Sequence, residues 1–306
     1  MKRIYLHIGY HKTATTFLQH AIYPEMRNVT YINKEYIRED FRRVRLKKLS
    51  DSEIKQIRDY INSFHEGKPL LISNEALSGS PFAPRKTKTQ AKILQDLRRI
   101  FPASDYDVRI IVGIREQVEL LTSLFVQHLH QGGVRNGPEY IKHLEQTGSL
   151  ENFHFHNYLR EIKKIFGDDR VYVMVYEHFK ENFSVEMLKL LNYMSEPEIP
   201  PYQNKGRNKS FGKLQVAIAR RLNRLFKTPI HPEGRLPIIN VPIIGPLSPR
   251  RFLQNRYSFA LHYEKYQFPE ALQVSLRQRY AEGNQKLAGR YNLNLPDTYT
   301  PKRPIK

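Results

Sequence analysis

Short runs of β-branched and aliphatic residues alternate with stretches whose apolar positions recur every three or four residues, a pattern of strands joined by crossover helices. Ile4-Tyr5-Leu6-His7-Ile8 predicts a first strand, followed by a loop and a helical stretch from Thr15 to Ile22 that Pro24 closes. Asp51 is placed to cap a helix that carries Ile54, Ile57, Ile61 and Phe64 on one face, with Gly67 just past its end. Leu70-Leu71-Ile72-Ser73 predicts the second strand. A helix from about Thr87 then lines up Ile93, Leu94, Leu97 and Phe101 before Pro102. Val108–Ile114 is a continuous buried strand. It passes into a helix with Val118, Leu121, Phe125 and Leu129 on one stripe. A helix over about Phe153–Phe166 and a strand Val171–Val175 complete the alternation, which predicts an α/β fold with at least four parallel strands.

After Met194 the texture changes. Glu196 to Ser210 is a polar loop, Gly212 to about Phe226 a basic helix, and residues 228–249 hold six prolines, which excludes a regular helix there. A last helix is predicted from about Pro269 to Arg290, and a frayed tail over 300–306. The 306 residues suit one large domain or two small ones. The pattern predicts a single domain over 1–306 with a basic, Pro- and Ile-rich insertion at about 212–262.

Composition narrows the function. The absence of cysteine excludes disulfides, thiol catalysis and Cys-based zinc sites. No segment approaches the roughly 20 apolar residues of a membrane span. The N-terminus lacks the apolar run and cleavage site of a secretory signal, so a cytoplasmic location is expected. The 50 Lys and Arg against 30 Asp and Glu give a net charge of +20, which implies an anionic partner. Clusters stand at Arg42–Lys48, Arg220–Lys227 and Arg250–Arg256, for each of which a solvated face is the plain alternative.

The first chemical signal is Gly9-Tyr10-His11-Lys12-Thr13-Ala14-Thr15-Thr16, which leaves the first strand and opens a helix. Unpaired amides and the positive end of the helix dipole favour an anion there; Lys12 adds a charge, and Thr13, Thr15 and Thr16 add hydroxyls. The segment is not a Walker A loop, because Lys12 lies only three residues after its one glycine.

This segment resembles the 5′-phosphosulfate loop of the sulfotransferases that use 3′-phosphoadenosine 5′-phosphosulfate (PAPS). Lys12, Thr13, Thr15, Thr16 and Phe17 match it, and Ala14 stands where the family has glycine. The family also carries a strand ending in Arg with a Ser eight residues later, which hold the donor's 3′-phosphate; Arg115 and Ser123 have that spacing, and the planar fork of Arg suits phosphate. Val171–Phe179 resembles the family's later strand, with Tyr176 and Glu177 read as architectural. Tyr280–Leu287 ahead of Tyr291-Asn292-Leu293 looks like the closing helix of bacterial carbohydrate-type, heparan-sulfotransferase-like members. The matches run from residue 4 to about 295. The resemblance implies a P-loop-like parallel sheet flanked by helices, PAPS as donor, 3′-phosphoadenosine 5′-phosphate (PAP) as product, and no metal.

Sulfonyl transfer needs a base for the acceptor hydroxyl and positive charge on the leaving phosphate. Glu75, after the second strand, is the candidate base and His11 its rival, while the resemblance gives Lys12 the bridging oxygen. Asn208 and Ser210 are carried as donor-site residues, and His128, His130 and Arg135 as acceptor-site residues. The acceptor expected is an anionic carbohydrate or glycolipid, with no specific nucleic acid. Ile238–Ile244, between two basic segments, raises a peripheral contact with anionic lipid at the inner membrane face. A nucleotide kinase and a non-catalytic polyanion binder are the alternatives.

Overall fold

A parallel sheet covered on both faces requires strands apolar along their whole length, since successive side chains point to opposite sides. A computed structural model describes residues 1–79, 87–203, 210–228, 230–238, 240–241, 245–246, 253 and 264–300. The elements are β1 (Lys2–His7), α1 (Thr15–Phe17), β2 (Thr30–Ile32), α2 (Lys34–Leu46), α3 (Asp51–Asn62), β3 (Leu70–Ser73), α4 (Gln90–Ile100), β4 (Tyr106–Ile114) and α5 (Gln117–His130). They continue with α6 (Gly137–Gln146), α7 (Phe155–Phe166), β5 (Val171–Val175), α8 (Tyr176–Glu181), α9 (Phe183–Tyr193), α10 (Lys213–Asn223), β6 (Asn240–Val241), β7 (Gly245–Pro246) and α11 (Glu270–Tyr291).

Two compact units make up the chain. The first comprises Met1–Glu116, Gly148–Asn204 and Tyr280–Lys306, and the second Gln117–Thr147 and Lys205–Arg279. The first holds a five-stranded, all-parallel sheet of order β2-β3-β1-β4-β5. On one face Tyr5, Leu71, Ile111 and Met174 meet Phe17, Leu18 and Ile22 after β1 and Met187, Leu190 and Leu191 of α9. On the other, Ile4, Leu6, Ile72, Val108, Ile110 and Val112 are wholly buried, with α7 packed on β4 and α4 on α7. At the carboxyl end of the first face the side chains turn polar: His7 pairs with Ser73 across β1 and β3. Gly113 there leaves room for Thr13, whose Oγ1 would lie 2.5 Å from a Cβ at that position.

The structure differs from the expected elements in places that have local causes. β2 is only three residues long, too short to show a period. α2 buries Ile37, Phe41 and Val44, while Arg42 pairs with Glu39 and Arg43 with Glu53; the dense charge of its outer face hides an ordinary amphipathic helix. α3 is capped by Ser50, not Asp51: Ser50 Oγ accepts from Glu53 N–H, and Glu53 Oε2 accepts from Ser50 N–H.

The second unit is built around Phe125 of α5, whose ring meets those of Tyr140, Tyr266 and Phe268 at centroid distances of 5.1–5.7 Å. Asn223 at the end of α10 donates from Nδ2 to the carbonyls of Leu129 and Gly133, which ties α10 to the end of α5. The Pro- and Ile-rich stretch falls in this unit.

Candidate functional site

In open parallel sheets ligands bind beyond the carboxyl ends of the strands, where the chain order reverses. Here β1 lies between β3 and β4, and its exit loop carries the anion-binding pattern. The loop is pinned to β4: Tyr10 N–H donates to the Gly113 carbonyl (2.7 Å), and Gly113 N–H donates to that of Gly9 (2.6 Å). Gly9 has φ +114°, and a Cβ there would come within 2.7 Å of Ser78 Oγ and 2.9 Å of the Glu75 carbonyl, so the position demands glycine on both counts. Lys12 (φ 65°) and Ala14 (φ 64°) then take left-handed conformations, and Ala14 caps the helical run that starts at Thr15.

The threonines divide by role. Thr13 is fully buried and donates from Oγ1 to the Tyr10 carbonyl at 2.7 Å; Thr15 is buried and reaches the same carbonyl at 3.4 Å. Both brace the loop from within, whereas Thr16 is exposed beside a half-buried Lys12. Arg115, one residue past β4, donates from Nη1 to the carbonyl of Lys12 (3.3 Å) and lies 4.7 Å from the ring centre of Tyr176. The next residue is fixed too: Glu116 N–H donates to Glu177 Oε1 (2.9 Å), and Glu177 Oε2 accepts from Tyr299 OH (2.9 Å). The Arg115 guanidinium thus meets the backbone of the loop that carries Lys12, at the carboxyl edge of the sheet.

Beneath it runs a buried polar chain. Ser73 Oγ lies 3.1 Å from His7 Nδ1, which also meets the Tyr23 hydroxyl at 2.9 Å. Gln19 Nε2 donates to Ser73 Oγ (3.1 Å), to the Ser73 carbonyl (3.0 Å) and to Glu75 Oε2 (3.2 Å), while its Oε1 accepts from Lys34 Nζ (3.2 Å). Burial pushes the Glu75 carboxyl up, but His11, its own backbone N–H, Lys34 and Gln19 together hold it below the usual carboxylate range. Burial pushes His11 down; Glu75 opposes this, while Lys12 and Arg45 push it further the same way. Near neutral pH the site therefore pairs a carboxylate with a neutral imidazole, two groups able to take up or stabilise a proton. His7, wholly buried, is lowered by desolvation to about 4 despite Glu75. Among the described residues no group of three His, Asp or Glu side chains could hold a metal ion.

No family model matches the sequence, and no curated protein matches it. Among solved structures, a sulfotransferase from Alicyclobacillus acidocaldarius superposes with a TM-score of 0.58 over 96% of this chain and 98% of that one, at 10% identity. The chain has the sulfotransferase fold. The sulfotransferase domain of an olefin synthase from Synechococcus PCC 7002 aligns with a TM-score of 0.45 at 12% identity, covering 96% of this chain and 95% of that one. A mouse sulfotransferase complexed with PAP gives 0.37 at 12% identity, covering 72% and 64%.

Within this sulfotransferase fold the remaining candidates belong to the second unit. Ser123 is half-buried on the second turn of α5. His128 lies inside the packing, its ring 5.1 Å from that of Tyr140 and against Gly133, where a Cβ would meet it at 2.1 Å. Desolvation, then Arg135 and His143, lower it to about 4. His130 is half-buried, edge-on to Phe211 at 4.1 Å; Arg135 is half-buried and Ser210 exposed. Asn208 lies outside the described residues. The sequence pattern did not single out Gln19, Lys34, Ser73 or His7 as site residues. A polar Gln19 next to the apolar Leu18 was the available signal, but only the fold shows that it is buried and faces Ser73 and Glu75.

Proposed function

We propose that the protein is a sulfotransferase that moves the sulfonyl group of PAPS to a hydroxyl of a carbohydrate, a cell-surface polysaccharide or a glycolipid. The observation that carries this reading is the hydrogen bond from Arg115 to the Lys12 carbonyl. It sets the Arg115 guanidinium, in one unit, against the loop that carries Lys12, as a donor with phosphates at both its 5′ and 3′ positions would require. The fold shared with the Alicyclobacillus protein supports the same chemistry.

In this scheme the amides at Thr15 and Thr16 and the Lys12 ammonium hold the 5′-phosphosulfate, and Arg115 the 3′-phosphate, with Ser123 assigned to the donor from its spacing after Arg115 alone. The acceptor oxygen bonds to sulfur as the bond from sulfur to the bridging oxygen breaks. Lys12 stabilises the charge that grows on that oxygen. The acceptor's proton passes to the Glu75–His11 pair, whose ionised carboxylate and neutral imidazole suit that role. Asn208 and Ser210 are assigned to the donor side, and His130 and Arg135 to the acceptor side; His128, expected there from the sequence, is buried against Tyr140 and Gly133 and serves packing instead. The carbohydrate acceptor is supported by the resemblance of Tyr280–Leu287 to carbohydrate-type members and by the charge of +20, which suits an anionic glycan.

Calorimetric titration with PAP, AMP and ATP in the absence of metal tests the reading. PAP is expected to bind at least tenfold more tightly than AMP, and Lys12→Ala and Arg115→Ala each to weaken PAP by ten- to a hundredfold, the range for a charged hydrogen bond. Equal affinity for AMP and PAP, or binding of neither, overturns the reading; Mg²⁺-dependent turnover of ATP points to a kinase instead.

A further inference from the structure

The charge of this protein is unevenly placed. Between residues 199 and 263 there are twelve Lys and Arg and one acid, Glu233, so about a fifth of the chain carries more than half of the net charge. The described part of this stretch centres on α10. Its inner face is firmly held: Gln215 Nε2 donates to the Leu253 carbonyl (2.6 Å), Gln215 Oε1 accepts from Gly212 N–H (2.8 Å), and Val216, Ala219 and Asn223 are buried.

The outer face is unusual for a surface bathed only in water. Leu214, Ile218, Leu222 and Leu225 follow one another at i, i+4, i+8 and i+11, a single stripe along the helix and its exit. A second strand of chain extends it, because Leu236 N–H donates to the Leu225 carbonyl (2.6 Å) and the Leu236 carbonyl accepts from Lys227 N–H (2.7 Å). Leu214, Leu225 and Leu236 are 54%, 45% and 47% exposed. Beside them stand Arg221, Arg224, Lys227 and Arg235, which make no ion pair among the described residues; Lys213 reaches Glu264 at 3.3 Å.

We propose that this face of the second unit is a docking surface for an anionic lipid bilayer, lying in the interface with its leucines among the acyl-chain boundary and its cations on the lipid headgroups. Aliphatic side chains within a cationic rim are what an interfacial helix needs. The same leucines add nothing to binding a nucleic acid or a sulfated glycan, whose phosphates or sulfates are met by cations and polar groups. The surface would bring the enzyme to membrane-bound acceptors, but its existence does not depend on the donor assignment.

The test is flotation of the full chain with vesicles of phosphatidylcholine alone and of phosphatidylcholine with about 30% phosphatidylserine, at physiological salt. The wild type is expected to partition at least tenfold more strongly to the anionic vesicles. Arg221→Gln/Arg224→Gln/Lys227→Gln should lose on the order of a hundredfold, at roughly fivefold per cation. Leu214→Ser/Leu225→Ser/Leu236→Ser should lose at least tenfold. Thermal melts and PAP titration of both variants check folding and keep the donor reading separate; if the leucine triple variant melts early, Leu214→Ser alone is read, with a threefold loss expected. Absence of binding to anionic vesicles, or equal binding to neutral ones, overturns the proposal. So does full binding by the folded leucine variant, which would make the face a general polyanion site.

Discussion

Ala14 holds φ 64° and ψ 8° with a Cβ present, in a region where an L residue other than glycine pays about 1 kcal/mol. The loop's hydrogen bonds to β4 and the Thr13 and Thr15 hydroxyls on the Tyr10 carbonyl fix the chain around it. Replacement by glycine should leave the urea midpoint equal or slightly higher and PAP affinity within about twofold of wild type, because strain relief and added backbone entropy nearly offset. Ala14→Val, a β-branched residue in the same conformation, should cost about 2 kcal/mol and weaken PAP at least fivefold. A valine variant with wild-type stability and PAP affinity would show that the left-handed turn is not needed.

The helical run after the loop has two parts, α-helical over Thr15–Phe17 and π-helical over Leu18–Ile22. Wider turns of this kind occur often at functional sites. Phe17, Leu18 and Ile22 of the run enter the core, while Gln19 points along the sheet edge and bridges Ser73, Glu75 and Lys34. Gln19→Leu removes these bonds while keeping the volume, and strands the buried Ser73 hydroxyl with fewer partners. A loss of about 1–3 kcal/mol in urea unfolding is expected, with PAP affinity changed less than about twofold, since Gln19 touches Glu75 and not the Gly9–Thr16 loop. A parallel fall in PAP affinity would mean that the run transmits the disturbance to Lys12.

Both units contain a histidine kept neutral by burial, His7 in the first and His128 in the second, each lowered to about 4. Between pH 6.5 and about 4 the unfolded chain binds protons that the folded chain does not, so stability falls as the pH is lowered through that window. The slope approaches 1.4 kcal/mol per pH unit for each histidine, and the depressed Glu75 carboxyl adds loss in the same direction at lower pH. Unfolding free energies from urea titrations at pH 7 and pH 5 should differ by about 2 kcal/mol for each of these two histidines, and a flat profile would refute the assignment of both as neutral. No helix among the described residues is long and apolar enough to cross a membrane.

Four of the five parallel strands and the helices α3, α4, α5, α7, α10 and α11 were legible in the sequence, because burial on one or two faces imposes a period that local residues must satisfy. Gly9, Lys12, Arg115 and Glu75 were legible as candidates for the same reason: they fall directly after apolar strands, and the carboxyl edge of a parallel sheet gathers such residues. What the sequence could not determine depends on partners distant along the chain. That Arg115 reaches the Lys12 carbonyl follows from β1 and β4 being neighbours, and nothing local to either segment encodes that. The burial of Thr13 follows from the missing side chain of Gly113, a hundred residues away. Gln19, Ser73 and His7 became one buried chain, reaching out to the half-buried Lys34, only once β3 was laid beside β1, and a polar residue's place inside or outside is decided by which hydrogen-bond partners the fold brings to it.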